Sequence, residues 1–258
     1  MNVMIEALVL GIVQGLTEFL PVSSTAHLII VPWVFAWTGL ADTLTFDVAL
    51  HAGTLVALLI CFWRDWVEII FRKPRFLLMI VAASFPAGVA GVLLNDLVET
   101  RLRSPLLIVG TLVIFGIAML VAERGSKERE FNRITFSDAM LIGLAQAVAL
   151  IPGVSRSGIT ISAGLFLGID REAAARFSFL LSTPAVGGAA LLHIVKVLGH
   201  GGVEHPDLFA AGIAVSAVTG VAAITFLLGF FRKHPMNIFA YYRFGLAALI
   251  LAGVWLRT

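Results

Sequence analysis

Gln14-Gly-Leu-Thr-Glu18-Phe-Leu-Pro21-Val-Ser23-Ser24-Thr25-Ala-His27 sets a carboxylate, hydroxyls and an imidazole inside a stretch apolar enough to enter a membrane. An ionisable side chain at bilayer depth costs about 2.5–3.5 kcal/mol on insertion scales, so such residues mark function. Pro21 followed by small hydroxyl residues predicts an interrupted helix with free backbone N–H groups. Free backbone at that depth is tolerated only inside protein or beside a watery cavity.

Around this stretch, 59% of the 258 residues are hydrophobic and 13% are charged. A soluble domain carries about 25% charged residues. With a mean hydropathy of +0.99, the chain reads as an all-α integral membrane protein. The net charge of +2 fits basic loops at a membrane face and excludes a nucleic-acid binder as the working class. One cysteine, Cys61, permits no internal disulfide. The early Glu6, with Gln14 and Glu18 beyond it, does not read as a cleaved signal peptide.

Six apolar segments long enough to cross about 30 Å lie at 44–63, 76–97, 104–123, 172–197, 207–231 and 237–256. Two more, 2–38 and 137–168, are broken midway, at Leu20-Pro21-Val22-Ser23-Ser24 and at Ile151-Pro152-Gly153-Val154-Ser155. Each reads as a re-entrant hairpin of two half-membrane helices. A shift of 132 residues aligns Ala7, Gly11, Gln14, Val22 and Ser23 with Ala139, Gly143, Gln146, Val154 and Ser155. The same shift aligns Ser84, Gly88, Val89 and Ala90 with Ser216, Gly220, Val221 and Ala222. A shared offset points to duplication. The expectation is one membrane domain, 1–258, made of repeat one (about 1–125) and repeat two (about 133–258). Each repeat holds one hairpin plus three spans. Three is odd, so the second copy runs inverted, an architecture that builds midplane sites from broken helices.

Lys and Arg cluster at 64–75, 124–133, 171–176 and 232–233, all on one side of this arrangement. That side reads as cytoplasmic, with both termini outside. The other side receives Arg101, Arg103, Lys196 and Arg257. The two hairpins then enter from opposite faces and their tips meet near the middle.

Gln14 and Glu18 share a helix face, as do Ser24 and His27. The second break supplies Ser155, Arg156, Ser157 and Thr160. Both returning half-helices open on serines, natural N-caps whose positive helix ends suit a phosphate. Arg156 adds a fork of donors that matches phosphate oxygens. Plainer readings stand beside these: Thr25 and Ser157 as packing residues, His27 as an interhelical hydrogen-bonder, Glu18 and Arg156 as a structural ion pair. The convergence of carboxylate, imidazole, guanidinium and two helix ends at one depth favours an anion site with acid–base groups. Asp47 and His51 are candidates for an outer shell. Arg243 either snorkels to an interface or points into the site.

The motifs Gln14-Gly-Leu-Thr-Glu18, Pro21-Val-Ser-Ser-Thr-Ala-His27 and Pro152-Gly-Val-Ser-Arg-Ser-Gly-Ile-Thr160 resemble those of the undecaprenyl-diphosphate phosphatase, or bacitracin-resistance, family, and the likeness runs along the whole chain. The resemblance implies hydrolysis of a C55 lipid diphosphate to its monophosphate, which recycles the carrier for cell-wall synthesis. It also implies a divalent cation (Mg2+ or Ca2+) and an outward-facing site in a bacterial inner membrane. By motif, Glu18 would bind metal or act as base and Arg156 would hold the diphosphate. Ser24 and His27 would join them in catalysis, with Gln14, Ser23, Thr25, Ser155, Ser157 and Thr160 around the substrate. Members also carry glutamate where this chain has Gln14, which cannot ionise. The nucleophile stays open among Ser24 activated by His27, His27 itself, and water activated by Glu18; Ser24 is favoured because it begins a half-helix. The other common lipid-phosphatase pattern needs histidine where this chain has Ser162, and is excluded. The competing reading is a transporter or flippase of a lipid phosphate or other anion, which the inverted repeat alone would favour. A homodimer through Ala87-Gly88-Val89-Ala90-Gly91 is a further expectation.

Overall fold

A computed structural model describes residues 3–37, 39, 44–100, 102, 104–199 and 205–256, with side chains except at 44, 95–100 and 192–199. Both interrupted stretches form helix pairs: α1 (Val3–Phe19) with α2 (Ser24–Phe35), and α6 (Phe136–Val148) with α7 (Arg156–Phe166). The long helices are α3 (Leu44–Arg72), α4 (Pro74–Thr100), α5 (Pro105–Ala122), α8 (Arg171–Gly199), α9 (Pro206–Phe231) and α10 (Asn237–Trp255). Prolines open α4, α5 and α9, where a missing N–H costs nothing. All but α8 are apolar and long enough to cross a bilayer by length and composition. The sixth expected span, α8, is 29 residues long and turns buried Ser178, Ser182 and Thr183 inward. The chain is a multi-pass membrane protein.

The basic segments are more ordered than loops. α3 continues past the expected end at 63, kinks at Phe62 (φ −111°, ψ 18°) and runs to Arg72, because no breaker precedes Pro74. Arg171 and Arg176 lie in α8 itself, whose start is held by Asp170 accepting from the N–H groups of Glu172 (3.0 Å) and Ala173 (3.3 Å). Ion pairs knit this face: Arg171 with Glu123, Arg176 with Asp65, and Arg129 with Asp138, which also closes a capping box with Thr135. Arg101, Arg103, Arg257 and the side chain of Lys196 lie outside the described residues.

α1 packs on α9 and α6 packs on α4. A Cβ on Gly11 would stand 2.7 Å from the Gly212 carbonyl and 3.3 Å from Val215, and one on Gly143 would strike Ala83, the equivalent of Val215. These contacts bring backbones together as small residues do in membranes. The two N-caps match as well: Ser23 (φ 75°, ψ 96°) and Ser155 (φ 72°, ψ 112°) share a left-handed conformation rare for a residue with a Cβ. Such backbone costs of order 1–3 kcal/mol and clusters at functional sites. The outer faces are apolar, with Phe85, Val92, Leu93, Ile114, Val218 and Leu249 exposed, as lipid contact requires.

Candidate functional site

The two hairpin tips touch. Ser157 at the start of α7 donates to the Leu20 carbonyl at the break after α1 (3.1 Å). Beside this contact, Glu18 is buried at the end of α1 and gathers groups from four helices. One carboxylate oxygen, Oε1, pairs with the Arg156 guanidinium from α7. The other, Oε2, accepts from Ser24 Oγ at 2.5 Å and from Gln14 Nε2 at 3.1 Å, with His51 Nε2 from α3 at 3.6 Å. Arg156 also donates to the Ser182 carbonyl at 3.4 Å.

Ser24 and His27 share the inner face of α2, yet they are not paired. His27 Nδ1 lies 2.7 Å from the Ser23 carbonyl, so it carries a proton and donates. In the neutral ring Nε2 then accepts from the Tyr242 hydroxyl at 2.8 Å. The serine is held by the carboxylate, and the expected Ser24–His27 couple is not formed. A hydroxyl at 2.5 Å from a carboxylate is a charge-assisted bond of the strong kind, and a hydroxyl held on a base in this way is able to serve as a nucleophile.

The other candidates divide. Ser23 and Ser155 are the N-caps, accepting from Ala26 N–H (3.4 Å) and Gly158 N–H (3.2 Å). Ser155 and Ser157 hydroxyls lie 3.3 Å apart. Thr160 faces away from the tips, bonded to the Arg156 carbonyl (2.7 Å) and Ser178 (2.6 Å) between α7 and α8. Thr25 is exposed, and none of the described hydrogen bonds of the site reaches it. Of the outer-shell pair, His51 reaches Glu18, with Nδ1 donating to the Asp47 carbonyl at 2.8 Å.

Tyr242 is a partner that the motifs do not indicate, and Arg243, fully buried, does not snorkel outward. Its side chain donates to four backbone carbonyls: Gly153 (2.8 Å), Val154 (3.0 Å), Leu112 (3.2 Å) and Thr111 (3.3 Å). The available signal was an arginine within an apolar span, which is a flag by itself.

Among the described residues no cluster of three His, Cys, Asp or Glu could hold a metal alone. Gln14 Oε1 is nonetheless buried without a partner beside Glu18. One carboxylate and an orphaned amide oxygen are oxygen donors that fit a hard divalent cation taking its remaining ligands from phosphate oxygens, as Mg2+ usually does.

Residues 7–249 match the family model described as "Bacitracin resistance protein BacA". A protein of Thermodesulfovibrio yellowstonii named undecaprenyl-diphosphatase is 54% identical over the full length of both chains. One of the same name from Moorella thermoacetica is 47% identical over 98% of each, and one from Gemmatimonas aurantiaca is 42% identical over 98% of each. With matches of this extent the chain belongs to the bacitracin resistance protein BacA family.

Proposed function

We propose that the chain is an undecaprenyl-diphosphate phosphatase, releasing inorganic phosphate and leaving the monophosphate carrier for reuse in cell-wall synthesis. By keeping that carrier in supply it would confer bacitracin resistance. The observation that carries this reading is the Ser24 hydroxyl on Glu18, with Arg156 on the same carboxylate. Simple carriage of an anion needs no such couple.

In the chemical step Ser24 Oγ attacks the terminal phosphorus while its proton passes to Glu18. The bond from that phosphorus to the bridging oxygen breaks, and the lipid monophosphate leaves. Glu18 hands that proton to the leaving monophosphate; it then takes one from the water that attacks the phosphoserine and passes it to Oγ as the P–Oγ bond breaks, returning the Ser24 hydroxyl and free phosphate. Arg156 and the N-terminal N–H groups of α2 and α7 hold the equatorial oxygens as charge spreads over them. A divalent cation, when bound through Glu18 and Gln14, supplies further neutralisation of phosphate charge. His27, fixed by Ser23 and Tyr242, shapes the wall beside Ser24.

The same proposal makes the halves 1–125 and 133–258 an inverted repeat in a bacterial inner membrane, with the site open to the outside. It extends to a homodimer through the Ala87–Gly91 face of α4, where Gly88 and Gly91 look onto open space. Purified protein in detergent, given a polyprenyl diphosphate and a divalent cation, releases inorganic phosphate. No release under any metal would overturn the reading, and movement of the lipid phosphate across vesicles without hydrolysis would establish the transporter instead.

A further inference from the structure

Arg243 is a buried cation inside a membrane span, and none of the ion pairs among the described residues includes it. A charge withdrawn from water is normally paired or bound to polar groups. Here polar contacts come from backbone carbonyls alone, which solvate the guanidinium but leave its charge unbalanced. Glu18, the carboxylate at the tips, is already paired with Arg156.

The placement is directed. Gly153 and Val154 carbonyls accept from Arg243, and the Pro152 carbonyl before them accepts from Thr111 Oγ1 at 2.8 Å. Three consecutive carbonyls of the second tip are therefore tied toward α5 and α10. In a planar trans peptide the N–H lies opposite its carbonyl, so the Ser155 N–H is turned away from Arg243. The Arg156 and Ser157 N–H groups follow it without acceptors inside the helix, while the Gly158 N–H is taken by Ser155 Oγ. A Cβ on Gly158 would lie 3.4 Å from Arg243 Nη1, so the guanidinium sits directly behind that turn.

We propose that Arg243 is a positioning residue: it sets the second tip as an anion-binding loop, and the phosphate held there is its counter-charge. The inference rests on the phosphatase reading for the identity of the phosphate, though not for its binding. An anion on the α7 side of the tip meets aligned N–H groups in front and a permanent, unscreened positive charge behind.

The test is binding of inorganic phosphate to the purified full chain in detergent, measured by calorimetry and by phosphate-dependent thermal stabilisation, beside kcat and KM on a polyprenyl diphosphate. Arg243→Met, similar in reach and uncharged, should weaken phosphate binding by about tenfold or more and lower kcat with it. Arg243→Lys should recover part of the affinity through its charge, but little of kcat, because the fork across Gly153 and Val154 is lost. Thr111→Val, which changes no charge, should weaken phosphate by a few-fold, and it carries the test with Arg243→Lys should Arg243→Met fail to fold. Variants that melt earlier yet bind phosphate within about twofold of wild type would make Arg243 a packing residue and overturn the proposal. If wild type releases no phosphate from the lipid but still binds inorganic phosphate through Arg243, only the phosphatase reading fails. Wild-type hydrolysis with unchanged phosphate binding in Arg243→Met and Arg243→Lys sinks this inference alone.

Discussion

Replacing Ser24 and His27 one at a time separates the possible nucleophiles, because the two residues answer to different partners. Ser24→Ala removes the hydroxyl that lies 2.5 Å from Glu18, and with it the proposed attacking atom. Loss of a nucleophile from a working site typically costs 10⁴-fold or more, about 5 kcal/mol at 1.36 kcal/mol per decade. His27→Ala leaves the Glu18–Ser24 couple in place and strands the Ser23 carbonyl and the Tyr242 hydroxyl. An orphaned buried partner costs about 1–3 kcal/mol, so the rate should fall roughly 5- to 150-fold. Tyr242→Phe, which strands one ring nitrogen, should sit nearer the lower figure. The assay is phosphate release from a polyprenyl diphosphate in detergent at saturating divalent cation, with phosphate binding checked in each variant. If His27→Ala proves as inactive as Ser24→Ala, the imidazole takes part in the chemistry and the Glu18-base mechanism is wrong. If Ser24→Ala keeps more than about a tenth of wild-type turnover, water is the nucleophile.

Arg156→Lys keeps the charge but loses the planar fork, and should cost about 2–4 kcal/mol in kcat/KM; activity within about threefold of wild type would make Arg156 structural. Lys73→Cys and Ser126→Cys, in a Cys61→Ser background, should resist a membrane-impermeant thiol reagent in intact cells, since both fall on the basic face; ready labelling would invert the topology. Glu123, at the end of α5, is pushed up by burial, but hydrogen bonds from Arg171 and the Met236 N–H, with the charges of Arg171 and Lys127, hold its carboxyl below the ordinary 4.5. A depressed folded value stabilises above pH 4.5 and is lost as pH falls through that lower value. Thermal melts of Glu123→Gln should therefore lose stability at neutral pH and show a flatter acid limb than wild type; identical acid limbs would refute the linkage. Gly11→Leu should lower the melting temperature through overpacking of about 1–3 kcal/mol against Gly212 and Val215, and an unchanged melt would contradict the α1–α9 packing.

The helices and their breaks were legible in the sequence because hydropathy and proline act locally. Pro21 and Pro152 end what their neighbours would continue, and every long apolar segment became a helix. The ends moved where nothing local stops a helix, as in the run from Trp63 to Arg72. Within the site, spacing showed that Gln14 and Glu18 share a face, and that Ser24 and His27 share one too. Which partner each takes depends on helices far away in sequence. Ser24 turns to Glu18, and His27 turns to Tyr242, more than two hundred residues on. Thr160 has the right spacing but meets Ser178 on α8, a contact no motif encodes. Arg243 announces itself as an anomaly, while the carbonyls that surround it come from a turn and a helix that the sequence does not bring together.

Ser24 and Arg156 occupy matching local positions: each follows a serine with positive φ and opens a short helix, and the numbers differ by 132. A site assembled from two like halves starts with two like positions facing each other. Two serines there would duplicate the reactive group and leave charge on a phosphate unanswered. Two arginines would grip the anion and have nothing to attack it with. In this chain the two positions differ: Ser24 donates to Glu18, and Arg156 pairs with the same carboxylate. Exchanging the two residues, Ser24→Arg with Arg156→Ser, would leave composition unchanged but put the hydroxyl on the half that has Leu150 where the first has Glu18. In the proposed phosphatase, division of labour between these two matching positions is what separates the site from a symmetric anion-binding pore.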